Sequence, residues 1–319
     1  MLMNAVLDAL IPPLQAHDGQ GVVFDATLGR GGHAEALIRS VPIRAYVATD
    51  LDAENLAYAR KRLAPIADDR GVDLRLHHGP FTDAPELFAD AERTRPNVVL
   101  ADLGFASNQV DDPARGLAFS ADGPLDMRLD PTTDLPTAAD LVNTLPQDEL
   151  ADLIFAFGEE RLSRRIARKI VENRAESPIR TTAQLAALVR AAYPAPRRGP
   201  TRRTAHGGRV KPGHRIDPAT RTFQALRIAV NGELDALDTF LEQLPKLMNA
   251  NSTSGGTAAL ISFHSLEDRR VKRAFLDFQQ RDLGTRITRK PIVADDDEQA
   301  RNPRSRSAKL RVFEFQPRP

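Results

Sequence analysis

Residues 22–33 read Val-Val-Phe-Asp-Ala-Thr-Leu-Gly-Arg-Gly-Gly-His. An apolar run passes straight into a glycine-rich turn, and an acid, Asp25, stands four positions ahead of Gly29. Glycine reaches positive φ and brings the backbone within contact of a ligand that any Cβ would push away. A helix starting there aims its free N–H groups at the same place. The stretch thus predicts strand, ligand-binding loop and helix, with Asp25, Gly29 and Gly31 at the loop. Ala45–Thr49 reads as a second buried strand that ends in Asp50-Leu51-Asp52. A carboxylate at the tip of the second strand, about 20 residues beyond the glycine loop, is where a ribose diol is gripped. Asp50 is the candidate for that role.

Two cofactors compete for such a loop. A nicotinamide site uses G-x-G-x-x-G, but the sixth position counted from Gly29 is Ala34. An acid ahead of the loop would repel a pyrophosphate, whereas Asp25 could hold the cationic, amino-bearing end of S-adenosylmethionine. The form D-x-x-x-G-x-G favours the methyl donor, and the alternative is a strand–turn–helix with purely structural glycines.

Further strands follow the same plan. Leu74–His78 leads to Gly79-Pro80-Phe81, and Asn97–Ala101 leads to Asp102-Leu103-Gly104, with helical stretches at Ala53–Leu63 and Asp83–Glu92 between them. This alternation predicts a parallel sheet with crossover helices. Ligands in such sheets sit at the carboxyl ends of the strands, which gathers Asp25, Asp50, Phe81 and Asp102 at one crevice. Phe81 either stacks on an adenine or is one more core phenylalanine.

From Asp111 to about Tyr193 the pattern becomes helical. Asp140–Phe157, Glu159–Asn173 and Thr182–Ala192 carry apolar residues at three- and four-residue spacing, and Thr181–Gln184 forms a capping box. Helices resume at Pro218–Val230 and Glu233–Met248, Gly255–Ser262 reads as a fifth strand, and Leu310–Phe315 as a last one. The organisation expected is an α/β domain of residues 1–108 and 216–319, interrupted by an all-helical insertion at 109–215. The insertion ends in a basic loop, where Arg197, Arg198, Arg202, Arg203, Arg209, Lys211 and Arg215 occur with no acid among them. Such a loop either lies along a phosphate backbone or is a solvated linker. Asp295–Glu298 reads as a solvated acidic loop.

Composition sets outer limits. The chain has 319 residues, no cysteine and a net charge of +1. Disulfides, thiolate metal sites and cysteine nucleophiles are excluded, and any nucleic-acid binding must come from local clusters. No apolar run reaches the roughly 18 residues of a membrane span. The opening Met1–Leu10 lacks the basic start of a signal or transit peptide and reads as a helix. A cytoplasmic protein without a membrane partner is the expectation.

Four strings are too particular for composition to explain: Asp25–His33; Asp102–Gln109 running into Asp111–Gly116 and Gly123–Asp130; Pro218–Arg227; and Ile261–Arg269. Together they resemble the bacterial 16S ribosomal RNA (cytosine-N4)-methyltransferase family of the MraW type, over nearly the whole chain. The resemblance implies a class I S-adenosylmethionine-dependent methyltransferase, a Rossmann-like, mostly parallel α/β sheet with an inserted all-α domain. It further implies methylation of a cytosine N4 in the decoding centre of 16S rRNA, within the small ribosomal subunit. Matched position by position, cofactor contacts fall on Gly31, Gly32, His33, Asp50, Phe81, Asp102 and Gln109. His33 and Gln109 come from the resemblance alone.

The chain departs from the family where two serines and a proline usually precede the glutamine. Ala106, Ser107 and Asn108 stand there instead. The usual opening string, a histidine before Pro-Val-Leu-Leu, is missing, so the site is expected to lack a cap. The basic loop is longer and more basic than the family norm.

A cytosine amine is a weak nucleophile because its lone pair is delocalised into the ring. Acceptors on its protons would coax it towards tetrahedral geometry, and positioning supplies about 7–11 kcal/mol of such barriers. The candidate acceptors are Asp102, Ser107 and the carbonyls of the Leu103–Asn108 loop; Asp102 has cofactor binding as a rival role. His264, after the fifth strand, either contacts the target nucleotide or is structural. Arg128 either pairs with Asp126 or holds RNA. No spacing supports a metal site. Methyltransferases of DNA amines usually carry an Asn/Asp-Pro-Pro-aromatic loop that is absent here. The alternative from another class is a catalytically silent RNA-binding ribosome-assembly factor retaining the cofactor fold.

Overall fold

The computed structural model describes residues 1–89, 95–194, 217–249 and 255–317. In chain order the elements are α1 (Met3–Gln15), β1 (Val22–Asp25), α2 (Gly32–Ser40), β2 (Ala45–Asp50), α3 (Ala53–Arg70), β3 (Asp73–His78), α4 (Ala84–Leu87) and β4 (Val98–Asp102). There follow α5 (Ser107–Asp111), α6 (Ala138–Thr144), α7 (Gln147–Gly158), α8 (Ser163–Arg174), α9 (Thr182–Ala192), α10 (Ala219–Asn231) and α11 (Glu233–Asn249). The chain closes with β5 (Gly256–Ser262), α12 (Ser265–Gln280), β6 (Gly284–Arg286), β7 (Ile292–Val293), α13 (Asp296–Arg301) and β8 (Lys309–Phe315).

All the strands join one sheet in the order β3-β2-β1-β4-β5-β8-β6, with β7 also on β8. Strands β1 to β5 are parallel, whereas β8 runs antiparallel to β5, β6 and β7. The central strands are buried on both faces, as parallel strands under crossover helices must be, and their side chains sort by the period of two. Val23, Val98, Leu100 and Ile261 meet Leu10, Leu14, Leu37 and Leu63 of α1–α3. Phe24, Val99, Leu260 and Phe313 meet Phe240 and Leu244 of α11 and Phe275 of α12. The order reverses between β1 and β4, so the crevice for a ligand lies at their carboxyl ends.

The chain separates into two compact units, Met1–Ala106 with Glu233–Pro319, and Ser107–Gly232. The second is helical; its one strand-like pairing among the described residues is a bridge between Pro124 and Thr181. Its core is made by Leu150, Ile154, Ile166, Ile170, Leu185, Val189 and Leu226. Gly158 lets α7 approach α10, since a Cβ added there would lie 2.6 Å from the Arg221 carbonyl oxygen.

Several elements differ from expectation for identifiable reasons. The stretch Asp140–Phe157 is two helices, broken at Leu145-Pro146. Glu159 turns left-handed at φ 48° and ends α7, which delays α8 to Ser163. Helix α10, grouped from sequence with the segment after 216, clusters instead with the helical unit. Around Asp83 the chain forms a short 3-10 turn and one helical turn, with Pro85 at its start. The acidic run Asp295–Glu298 caps and begins α13, where carboxylates oppose the positive helix end. Strands β6 and β7, of three and two residues, are too short to leave a pattern. Helix α1 forms as expected, with Pro12 and Pro13 in its last turn. Among the described residues no helix is long and apolar enough to cross a membrane.

Phe240 is fully buried, with its ring centroid 6.3 Å from Phe24 and 5.1 Å from Phe81. Phe240→Ala should lower stability by about 3–5 kcal/mol, seen as a clear fall in the midpoint of thermal unfolding. An unchanged midpoint would contradict the packing described.

Candidate active site

The tips of β1, β2 and β4 are tied together by a chain of hydrogen bonds. Tyr46 on β2 donates its hydroxyl to Asp25 Oδ2 at 2.8 Å. Asp25 Oδ1 accepts from the Thr27 backbone N–H at 3.1 Å. The Thr27 hydroxyl accepts from the Asp102 backbone N–H at 2.6 Å. Asp25 keeps only 2% of its surface and is pushed up to about 7, first by burial, against the lowering pull of the Tyr46 and Thr27 bonds. The acid expected to face a cofactor is thus turned inward, bracing the loop.

The loop itself is braced from the other side. Asp50 Oδ2 accepts from the Gly29 N–H at 2.6 Å, and Oδ1 accepts from the Asp52 N–H at 2.8 Å. Burial lifts Asp50 to about 6. Asp52 caps α3 through the N–H groups of Glu54 and Asn55. Gly31 sits at φ 74° as the residue before α2, and no side chain caps that helix. A Cβ there would come within 3.0 Å of Leu63 Cδ1, whereas one at Gly29 or Gly32 would meet nothing within 4 Å. The loop therefore presents open space, bare helix N–H groups and a half-buried carboxylate together. That set fits a molecule with a carboxylate at one end and a ribose at the other, as S-adenosylmethionine has.

Asp102, at the tip of β4, has a side chain 21% exposed, yet its Oδ1 is buried and lacks a hydrogen-bond partner. Burial raises its carboxyl to about 6; the Met1 amino group, 3.9 Å from Oδ2, opposes the shift and Glu267 adds to it. His33 is buried in the first turn of α2 and lowered to about 4, chiefly by burial. Its Nε2 lies 2.9 Å from the Met1 carbonyl oxygen. With the proton placed there, Nδ1 faces Asp102 Oδ2 at 3.8 Å as an acceptor. Phe81 is half buried and its ring meets Phe240 edge-on, so one side is committed to the core.

His264 stands at the N-cap of α12. Its Nδ1 accepts from the Glu267 N–H at 3.4 Å, while Glu267 Oε2 accepts from the N–H groups of Phe263 and His264 at 2.8 and 3.3 Å. The ring is a structural cap first. A neutral ring that accepts at Nδ1 carries its proton on Nε2, which lies 3.2 Å from Glu267 Oε1 but off the line of a hydrogen bond. Donor atoms of Glu233, His264 and Glu267 lie within 4.8 Å of one another. In that tautomer the ring offers them a proton rather than a lone pair for a cation.

The remaining candidates belong to the helical unit. Gln109 is buried in α5 and Ser107 is exposed at its start. Arg128 is engaged internally: Nε and one terminal nitrogen donate to the two Asp126 oxygens, each at 2.8 Å, and the other to the Thr133 carbonyl at 2.6 Å. Met127 beside it is buried at φ 67° and held by Asn231, whose amide donates to the Met127 carbonyl at 2.8 Å and whose oxygen accepts from the Leu129 N–H at 2.7 Å. Of its two expected roles, the internal ion pair is the one this arrangement supports. Arg197, Arg198, Arg202, Arg203, Arg209, Lys211 and Arg215 lie outside the described residues.

Sequence reading missed Tyr46 and Thr27. The signal for Tyr46 was a polar-tipped aromatic in a strand otherwise made of Ala, Val and Thr, since a buried tyrosine hydroxyl seeks a partner. Thr27 had no signal beyond lying two residues after the acid.

A glycine loop after β1, an acid after β2 and the β3-β2-β1-β4-β5-β8-β6 order with an antiparallel β8 define a class I S-adenosylmethionine-dependent methyltransferase fold. The pattern of the MraW methylase family matches residues 1–316, and the chain belongs to that family. It is 49% identical over 295 residues to the ribosomal RNA small subunit methyltransferase H of Synechococcus sp. (strain CC9902), covering 92% of this chain and 89% of that one. The like-named protein of Gloeobacter violaceus is 46% identical, covering 97% and 86%. That of Sorangium cellulosum is 45% identical, covering 98% and 89%.

The buried Asp25 makes stability depend on pH. Unfolded, it titrates near 3.8; folded, near 7. Between those values the folded chain keeps a proton that the unfolded chain has lost, so stability is full below pH about 4 and drains as pH rises through about 7. Asp25→Asn removes this contribution. Between pH 5 and 8 the wild-type unfolding midpoint should fall further than that of the variant, and equal falls would show that Asp25 titrates normally.

Proposed function

We propose that this chain transfers a methyl group from S-adenosylmethionine to the exocyclic N4 of a cytosine in the decoding centre of small-subunit (16S) ribosomal RNA, in the cytoplasm and within the small ribosomal subunit. The observation that carries the reading is the buried, unpartnered Oδ1 of Asp102 beside a glycine loop open to a ligand. The family and the names of its relatives support the methyl transfer and the RNA.

S-adenosylmethionine supplies an electrophilic methyl group on a sulfonium. Gly29 and Gly32 leave room for its chain, Gly31 makes the left-handed turn against Leu63, and the bare N-terminus of α2 suits its carboxylate. Asp50 accepts from the ribose hydroxyls, and Phe81 gives an apolar wall. His33 and Gln109 complete the contacts expected of the family. Asp25 acts through Thr27, fixing the height of the loop against Asp102.

Asp102 Oδ1 accepts one proton of the cytosine amine. Accepting that N–H localises the nitrogen lone pair, otherwise delocalised into the ring, and draws the amine from planar towards tetrahedral. A carboxyl near 6 is mostly ionised at neutral pH, so it can accept this bond, and it is basic enough to take the proton the acidic product amine releases. Backbone carbonyls of the Leu103–Asn108 loop and the Ser107 hydroxyl supply the second acceptor, while the His264 ring stays the cap of α12.

Labelled S-adenosylmethionine and small ribosomal subunits lacking the modification, followed by nucleoside mass spectrometry, test the reading. Wild type should form N4-methylcytidine. Asp102→Ala and Asp102→Asn should lose about 10²–10⁴-fold in rate, Asn less because its carbonyl still accepts. Cofactor binding with no methyl transfer by wild type would leave an RNA-binding assembly factor as the better account.

A further inference from the structure

We propose that the solvent face of helix α8 is an RNA-binding surface that grips phosphates of the substrate strand. The inference rests on the reading of the chain as a ribosomal RNA methyltransferase and adds the surface by which it holds the RNA. Between positions 161 and 169 the chain carries five cations, Arg161, Arg164, Arg165, Arg168 and Lys169, all exposed. The opposite face, Ser163, Ile166, Ala167 and Ile170, is buried in the helical unit. At 3.6 residues per turn the cations recur along one side, Arg164 above Arg168 and Arg165 above Lys169.

This charge is arranged against the helix that bears it. The first turn contains no acid and two arginines, where the helix dipole already places positive charge. The only acid on the face is Glu172, 4.0 Å from both Arg168 and Lys169. No described acidic side chain pairs with Arg161, Arg164 or Arg165. The fold uses its other cations differently: Arg174, at the end of the same helix, donates to the Val142 and Leu145 carbonyls at 2.7 Å each. A polyanion supplies what the start of the helix lacks, and its affinity grows with every counterion released.

The face is also held still. Glu160 is buried; its Oε1 accepts from the Leu162 N–H at 2.8 Å and its Oε2 from the Tyr193 hydroxyl at 2.6 Å. That carboxylate fixes the start of α8 to the end of α9, so the cations stand on a rigid base. A flexible linker would have no need of such an anchor. Because the apolar face is spent on the core, the helix has none to insert into a lipid surface.

The test uses the full chain with Arg164→Gln, Arg165→Gln and Arg168→Gln combined, a parallel triple Lys variant, and Glu172→Gln. Binding to small ribosomal subunits lacking the modification is measured against salt, beside vesicles of phosphatidylserine and phosphatidylcholine. The Gln variant should bind at least about tenfold more weakly at moderate salt, and its slope of log affinity against log salt should flatten by roughly 2–3. Its S-adenosylmethionine affinity should stay at the wild-type value and its unfolding midpoint should not fall, which separates lost contact from lost folding. The Lys variant should keep most of the slope, and Glu172→Gln should steepen it. Wild-type methyl transfer with an unchanged slope in the Gln variant would overturn the surface and leave the enzyme reading standing. Wild type that neither binds nor methylates RNA removes both. Binding to the vesicles but not to the subunits would also overturn it.

Discussion

The site hangs on a buried hydrogen-bond chain, Tyr46 to Asp25 to Thr27 to Asp102, that crosses from β2 through β1 to β4. Parallel strands register against one another through their backbone ladders, and the loops at their ends have less of this. After β1 it continues as Ala26 N–H to the Leu100 carbonyl at 2.8 Å and Leu28 N–H to the Thr49 carbonyl at 3.0 Å. A glycine-rich loop is the least determined of these, since glycine restricts φ least. Asp25 adds a directed bond to the Thr27 N–H while Tyr46 holds its other oxygen, and Asp50 accepts from the Gly29 N–H on the far side. Burying such an acid is costly unless its oxygens are satisfied. Both oxygens of Asp25 are satisfied, and the cost remains visible in its raised proton affinity.

The same bracing frees the Asp102 side chain from structural duty. Its backbone is fixed by the Thr27 hydroxyl, so its side chain need not be held by bonds of its own. Oδ1 remains buried and unpartnered, a state that folded proteins seldom keep without a use. Three carboxyls around the loop, Asp25, Asp50 and Asp102, are all shifted upward, each chiefly by burial. Their roles separate by exposure: Asp25 is sealed and structural, while Asp50 and Asp102 each keep an edge toward solvent.

Much of this was legible in the sequence. The short apolar runs and the acids at their ends located β1 to β5 and the crevice, because a parallel sheet places its functional residues by topology alone. What escaped had physical causes. Which way Asp25 points is set by Tyr46, twenty-one positions away, a pairing created by strand register rather than by local pattern. Two helices were read as one because the apolar spacing continues across Leu145-Pro146, and only the proline marks the break. The acidic run at 295–298 does face solvent, but it caps and begins α13 instead of forming a loop, its carboxylates opposing the positive helix end.

Net charge is where sequence reading misleads most. A total of +1 over 44 basic and 43 acidic residues describes a nearly neutral chain, yet the acids and bases are spent differently. Carboxylates brace backbone N–H groups at the glycine loop, at the α3 cap and at the α12 cap. Arg164 and Arg165 at the start of α8 have no acidic partner among the described residues, and each like-charged pair one turn apart costs about 0.2–0.5 kcal/mol. An isolated helix of that sequence would be weak, and it folds because Ile166 and Ile170 are buried and Glu160 anchors its start. Packing therefore supplies the stability that lets this stretch carry a charge pattern unfavourable to itself. The departure from local preference is the physical trace of a surface shaped by something other than folding.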